Sequence, residues 1–204
     1  MNYLAHLLLS DGTPESMIGN LLGDFRKGLQ IDRYSLAIRQ GMALHQHIDI
    51  YTDSHPIVRQ SKQRIRSPYR RFAGILLDVF YDHCLSVHWS QYASVPLREF
   101  VDRAYEILLE HHGILPDRLQ QALPHMIRQD WLCSYGDLAG VQVTLQRIAR
   151  RLRRETVLAQ GITELQTHYA DLEAGFHQFF PALQDYVSTL QPASLGSIAP
   201  ELVD

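Results

Sequence analysis

The chain is poor in the features that mark several protein classes. It has two cysteines in 204 residues, Cys84 and Cys133, and they form no Cys-x-x-Cys pair. That excludes a zinc ribbon and a disulfide scaffold. Free thiols fit a reducing compartment, so a cytoplasmic location is expected. No window approaches about 18 uninterrupted apolar residues, so no membrane span is expected. The N-terminal Met-Asn-Tyr-Leu-Ala-His-Leu-Leu-Leu-Ser-Asp has no basic stretch, and a histidine interrupts its short apolar run, which argues against a signal peptide. Net charge is only −3, and no basic–aromatic interleaving offers a stacking platform, so nucleic acid is not an expected partner. Phosphate-cradling glycine loops, a Gly-x-Ser-x-Gly elbow and His-Glu-x-x-His are all missing. No stretch alternates apolar and polar residues with period two, which removes strands from the reading.

What is there is helical. Hydrophobic residues make up 46% and charged residues 20%, ordinary values for a globular domain. The expected architecture is all-α: a single compact helical domain of about seven to nine helices. It spans residues 1–190, and residues 191–204 read as a fraying tail rich in Ser, Pro and Ala. Residues 2–10 read as a short apolar helix or turn. Thr13-Pro14-Glu15 opens a second helix, which continues to Asp24 and Phe25 and stops near Gly28. Asp32 caps a third, which runs towards Tyr51 until Pro56 restarts the chain. Ser67-Pro68 starts a long apolar helix to about Trp89, and Pro96 opens another. Pro124 reads as a kink or break, Asp137 as a cap, and the last helix runs from about Ile162 to Leu190 with a bend at Pro181.

The long apolar run Ile75-Leu76-Leu77-Asp78-Val79-Phe80-Tyr81-Asp82-His83 carries the first chemical signal. A carboxylate among such neighbours costs several kcal/mol unless something pairs with it. Asp78 and Asp82 share a helical face, with His83 at its edge. His45 and Asp49 share another face, and Asn20 and Asp24 lie together on an earlier helix. Clustered carboxylates repel one another without a cation. Inward Asp and His side chains from separate helices are how helical bundles hold divalent ions. His6 and His88 are weaker candidates at the pocket. Arg147, Arg150, Arg151, Arg153 and Arg154 crowd one helix end, more positive charge than the helix dipole needs, and suit a phosphate or an acidic partner.

Several short segments, in order, resemble the acyl carrier protein phosphodiesterase family. They are Met-Asn-Tyr-Leu-Ala-His-Leu at the start, Gly19-Asn20-Leu21-Leu22-Gly23-Asp24-Phe25, His45-Gln46-His47-Ile48-Asp49, and Leu77-Asp78 with Tyr81-Asp82-His83 and His88-Trp89. Tyr169, Glu173, Phe179 and Pro181 extend the likeness to about residue 185. The resemblance implies an all-helical, HD-domain-like divergent relative of the HD-type metal phosphohydrolases. It also implies hydrolysis of the phosphodiester joining 4′-phosphopantetheine to a serine of holo-acyl carrier protein. The implied cofactor is a divalent metal, Mn or Mg first and Fe next, held by Asp24, His45, Asp78 and His83. Asp82 or Asp49 then serves as catalytic base or orients a ligand histidine. Acyl carrier protein is acidic, so Arg147, Arg150, Arg151 and Arg154, or else Arg64, Arg66, Arg70 and Arg71, suit its docking. Asp82-His83 reverses the His-Asp order of HD enzymes. Two alternatives stay open: a phosphohydrolase acting on a nucleotide or other small phosphoester, and a non-catalytic helical adaptor.

Overall fold

The computed structural model describes residues 2–152 and 157–190. The expected tail, and Arg153 and Arg154 of the arginine cluster, lie outside the described residues. Among the described residues there are ten α-helices and no strand: α1 (Tyr3–Leu8), α2 (Pro14–Leu22), α3 (Leu36–Ser54), α4 (Pro56–Arg64), α5 (Ala73–Val87), α6 (Leu97–Glu110), α7 (Asp117–Arg128), α8 (Leu138–Arg151), α9 (Ile162–Thr167) and α10 (Tyr169–Thr189). The all-α expectation holds, with more helices than the seven to nine expected. The last expected helix is two, because the chain leaves helical geometry at His168 between α9 and α10. None of the described helices is long and apolar enough to cross a membrane.

Local rules explain most boundaries. The Thr13 hydroxyl accepts from the Ser16 N–H, and Pro14 occupies the first turn of α2, where its missing N–H costs nothing. Asp137 caps α8 by accepting from the Gly140 N–H at 2.7 Å. Asp32 is not the cap of α3. It sits in a short 3₁₀ turn (Ile31–Arg33), and Ser35 caps α3 through the Ile38 N–H. The long apolar helix begins at Ala73, after a 3₁₀ turn at Arg70–Phe72, rather than at Pro68. Neither Pro124 nor Pro181 ends its helix. Leu119, Leu123 and Met126 are buried around the first, and Phe179, Phe180 and Leu183 around the second. Burial on that scale outweighs one lost backbone hydrogen bond.

The helix α5 runs through the middle. Leu76, Phe80, Cys84 and Leu85 are fully buried, and α5 packs against α1, α4, α8 and α10. The pair α2 and α3 forms a second layer, drawn close by two glycines. A Cβ on Gly19 would meet the Ile38 carbonyl oxygen at 2.1 Å, and one on Gly41 would meet the Ser16 carbonyl oxygen at 2.7 Å. Each glycine weakens a helix by about 1 kcal/mol relative to alanine. What it permits here is backbone-to-backbone contact, which sets the relative position of the side chains on the two helices.

Candidate metal centre and its adjoining cavity

Close packing of α1, α2 and α3 brings together His6, His45 and Asp49, with ligand atoms within 4.8 Å of one another. Asp49 Oδ2 lies 3.2 Å from His45 Nε2, and Asp49 Oδ1 lies 3.3 Å from His6 Nε2. Asp24 Oδ1 is 3.9 Å from His45 Nε2. The two imidazoles stack with centroids 3.9 Å apart, His6 beneath His45. Gly23 makes room for this arrangement, since a Cβ there would meet His45 Cγ at 2.1 Å. An open cleft of about 610 Å³ lies over the cluster and is lined by Asp24, Arg26, His45, Asp49 and Arg59.

The protonation of His6 can be read from its neighbours. Asn20 Nδ2 donates to the His6 backbone carbonyl at 2.7 Å, which fixes the orientation of the Asn20 amide. Its Oδ1 therefore faces His6 Nδ1, at 2.9 Å, and must accept a proton from it. Burial, then the neighbouring His45, pushes the His6 pKa down to about 4, so the ring is neutral at pH 7. With the single proton on Nδ1, Nε2 carries a bare lone pair. That atom is buried and has no aligned hydrogen-bond partner, and it points at a carboxylate oxygen. Two acceptors facing each other at this distance repel unless a cation lies between them. Burial raises the Asp49 carboxyl, but opposing contacts, the His45 hydrogen bond first among them, hold the group well below the usual carboxylate range. Partial burial pushes Asp24 up, with His45 opposing. Neutral imidazole and ionised carboxylate are the donor set that Mn, Fe and similar divalent ions accept, so the residues present fit such an ion.

Asp82 and His83 do not join this cluster. Asp82 is fully buried and accepts from the backbone N–H groups of Leu4 and Ala5, at 2.8 and 3.3 Å. It caps the start of α1 and so ties the helix that carries His6 to α5. Burial pushes its carboxyl up to about 7, with those backbone donors opposing. His83 Nδ1 donates to the Tyr135 carbonyl at 2.7 Å, and its Nε2 meets the Tyr169 hydroxyl at 3.0 Å, so both nitrogens are satisfied. His88 lies farther along, with Nε2 2.8 Å from Glu173 Oε1. Together with His177 it forms a second His–carboxylate cluster.

Asp78 is only half-buried, unlike the core position its apolar neighbours suggest. It lines a cavity of about 240 Å³ between α1, α5 and α8, together with Asn2, Tyr3, Asp24, Ile75 and Arg151. Asp24 lines both this cavity and the open cleft, so it stands at their junction. The arginine cluster divides here. Arg147 lies over the Trp131 ring, 4.3 Å from its centroid, and lines the cavity. Arg151 also lines the cavity, whereas Arg150 is exposed and lines neither opening. Burial pushes the Tyr3 hydroxyl up, Asp24 adds to the shift, and Arg151 opposes it, so the three groups share the cavity mouth.

The residues taken together define an all-helical protein that presents buried imidazoles and half-exposed carboxylates to one cleft, with arginines beside them. A family model for acyl carrier protein phosphodiesterase matches residues 1–183. Curated relatives called acyl carrier protein phosphodiesterase match over nearly the whole chain. One from Photorhabdus laumondii is 36% identical, covering 91% of this chain and 94% of its own. One from Escherichia coli O157:H7 is 38% identical, covering 92% and 98%. One from Yersinia enterocolitica is 34% identical, covering 94% and 100%. The chain belongs to the acyl carrier protein phosphodiesterase family. No solved structure matches it.

Proposed function

We propose that this protein hydrolyses the phosphodiester between 4′-phosphopantetheine and the serine of holo-acyl carrier protein, with His6, His45 and Asp49 holding a divalent ion. The family membership supports the reaction class. The observation that carries the site is the bare, buried His6 Nε2 aimed at Asp49, a pair that needs a cation between its members. A divalent ion there supplies a Lewis acid that lowers the pKa of water and offsets phosphoryl charge.

The chain's own groups do the rest. Asn20 keeps the His6 proton on Nδ1 and so keeps Nε2 available. Asp24, at the junction of cleft and cavity, takes the proton of the attacking water. Arg151, beside Tyr3 and Asp24 at the cavity mouth, draws the phosphoryl oxygens and neutralises charge as it builds. The water oxygen bonds to phosphorus as the phosphorus–serine oxygen bond breaks. The serine oxygen leaves with the proton that Asp24 took from the water, giving apo-acyl carrier protein and free 4′-phosphopantetheine. Asp82 is read as the anchor of α1, and His83 as a brace between α5 and the Tyr135 segment, rather than as base and ligand.

Chelator-treated protein incubated with holo-acyl carrier protein and Mn(II), followed by mass spectrometry, tests this reading. Loss of the pantetheine arm is expected with metal and not without it. An intact arm in both conditions overturns the reading. In the same preparation, Asn20→Ala should weaken Mn(II) affinity by about 10- to 100-fold, measured by calorimetry.

A further inference from the structure

We infer that the cavity between α5 and α8 is the seat of the phosphopantetheine arm, entered past Asp24 with the phosphate left at the cleft. The inference rests on the proposed reaction and adds the place where the leaving group lies. Three observations carry it. Asp24 lines both the cleft over the metal-ligand cluster and this cavity, so the cavity mouth is within reach of one substituent of a diester held at the cluster. The other substituent, the protein serine, stays on the open side. The cavity walls pair Ile75 and Val79 of α5 with Ile148 of α8, an apolar strip for a slender chain beside the polar Asp78, Arg147 and Arg151.

The third observation is Thr144. It is 5% exposed and lines the same cavity, and its Oγ1 has no hydrogen-bond partner. Leaving a buried hydroxyl unpaired is unfavourable. This one has no partner among the described residues, and a guest in the cavity brings a polar group to it. The arm is such a guest, because it alternates methylene segments with two secondary amides. An amide carbonyl placed opposite Thr144 accepts its proton while the methylenes lie against Ile75, Val79 and Ile148. The same wall explains why Asp78 is only half-buried: its helical face borders a cavity rather than the core.

Pantetheine, which lacks the phosphate, is the direct probe. Calorimetric titration into the full chain should detect binding of both pantetheine and 4′-phosphopantetheine. Ile148→Trp fills the cavity along this strip and should weaken both by about tenfold or more. Thr144→Val keeps the shape and removes the hydroxyl. It should raise the melting temperature, because an unpaired group is gone, and weaken pantetheine by about fivefold. If Ile148→Trp does not fold, Thr144→Val decides alone. Equal binding of pantetheine by the wild type and a folded variant overturns the inference. The holo-acyl carrier protein assay separates this failure from that of the function. Wild-type turnover with unaltered arm binding in the variants removes the arm site and leaves the reaction standing. No wild-type turnover removes the reaction itself.

Discussion

Two clusters in this molecule contain the same kinds of side chain and differ in how their nitrogens are used. His6, His45 and Asp49 meet under the open cleft, and His88, Glu173 and His177 meet between the end of α5 and the middle of α10. In the second cluster each histidine has a hydrogen-bond partner. His88 Nε2 meets Glu173 at 2.8 Å, and His177 Nδ1 meets the Tyr92 hydroxyl at 2.7 Å. In the first cluster two imidazole nitrogens are buried without partners, His6 Nε2 and His45 Nδ1. A satisfied histidine braces helices, whereas His6 Nε2 keeps an unused lone pair aimed at a carboxylate. Composition does not separate the two clusters, but hydrogen-bond accounting does.

The sharpest way to break the contrast is to remove a member of each cluster and measure hydrolysis of holo-acyl carrier protein. His45→Ala and Asp49→Asn should each lower kcat/KM by on the order of a hundred- to a thousandfold. His177→Ala, and His88→Ala, should leave it within about threefold and lower stability modestly instead. Loss of activity from the second pair equal to that from the first would erase the distinction.

The two clusters were unequally legible in the sequence. The i, i+4 pair His45–Asp49 follows from helical spacing alone, whereas Asp24 lies on another element, and the structure brings it to 3.9 Å from His45. His6 was harder, because nothing local says where a six-residue helix will lie. Its position depends on Asp82, 76 residues later in the numbering, whose carboxylate holds the first N–H groups of α1. The same Asp82 carried the sequence argument for a catalytic carboxylate, because a buried charge is a sound signal of a partner but does not say which partner. Periodicity found the face of α5 that holds Asp78, yet could not tell a core from a cavity wall. The readable clue that went unused is glycine. Gly19, Gly23 and Gly41 sit in or beside helices where they cost stability, and each makes space for a close approach that builds the cluster.

Asp82 links the two halves of the comparison, and its removal should give the next largest effect. Asp82→Ala leaves the Leu4 and Ala5 N–H groups buried without acceptors, which should cost about 2–3 kcal/mol in denaturant unfolding and loosen His6. Asp82→Asn should cost less and also change the pH dependence. Burial pushes the folded carboxyl up to about 7 from its ordinary value of 3.8, so between those values the native state holds a proton that the unfolded chain has released. The contribution of Asp82 to stability is therefore full below about pH 4 and is lost as pH rises towards 7. An asparagine does not titrate, so the variant should lose less stability than the wild type between pH 4.5 and 7.5. A steeper loss in the variant would refute the assignment.

The smallest expected effect belongs to the satisfied cluster. The His88 and Glu173 side chains are 22% and 28% exposed, so solvent screens their ion pair. Glu173→Gln removes the charge but keeps an amide oxygen where Oε1 stands, and that oxygen still accepts from the His88 Nε2–H. Packing of α10 against α5 does not depend on the charge, because Phe176, Phe179 and Phe180 supply the buried surface there. Urea unfolding should therefore register a loss of about 1 kcal/mol or less, and holo-acyl carrier protein turnover should stay within about twofold. A brace tolerates loss of charge when its hydrogen bond survives, whereas a metal ligand does not. For that reason the same carboxylate-to-amide change at Asp49 should remove activity, and a tenfold loss of turnover in Glu173→Gln would assign the second cluster a chemical role as well.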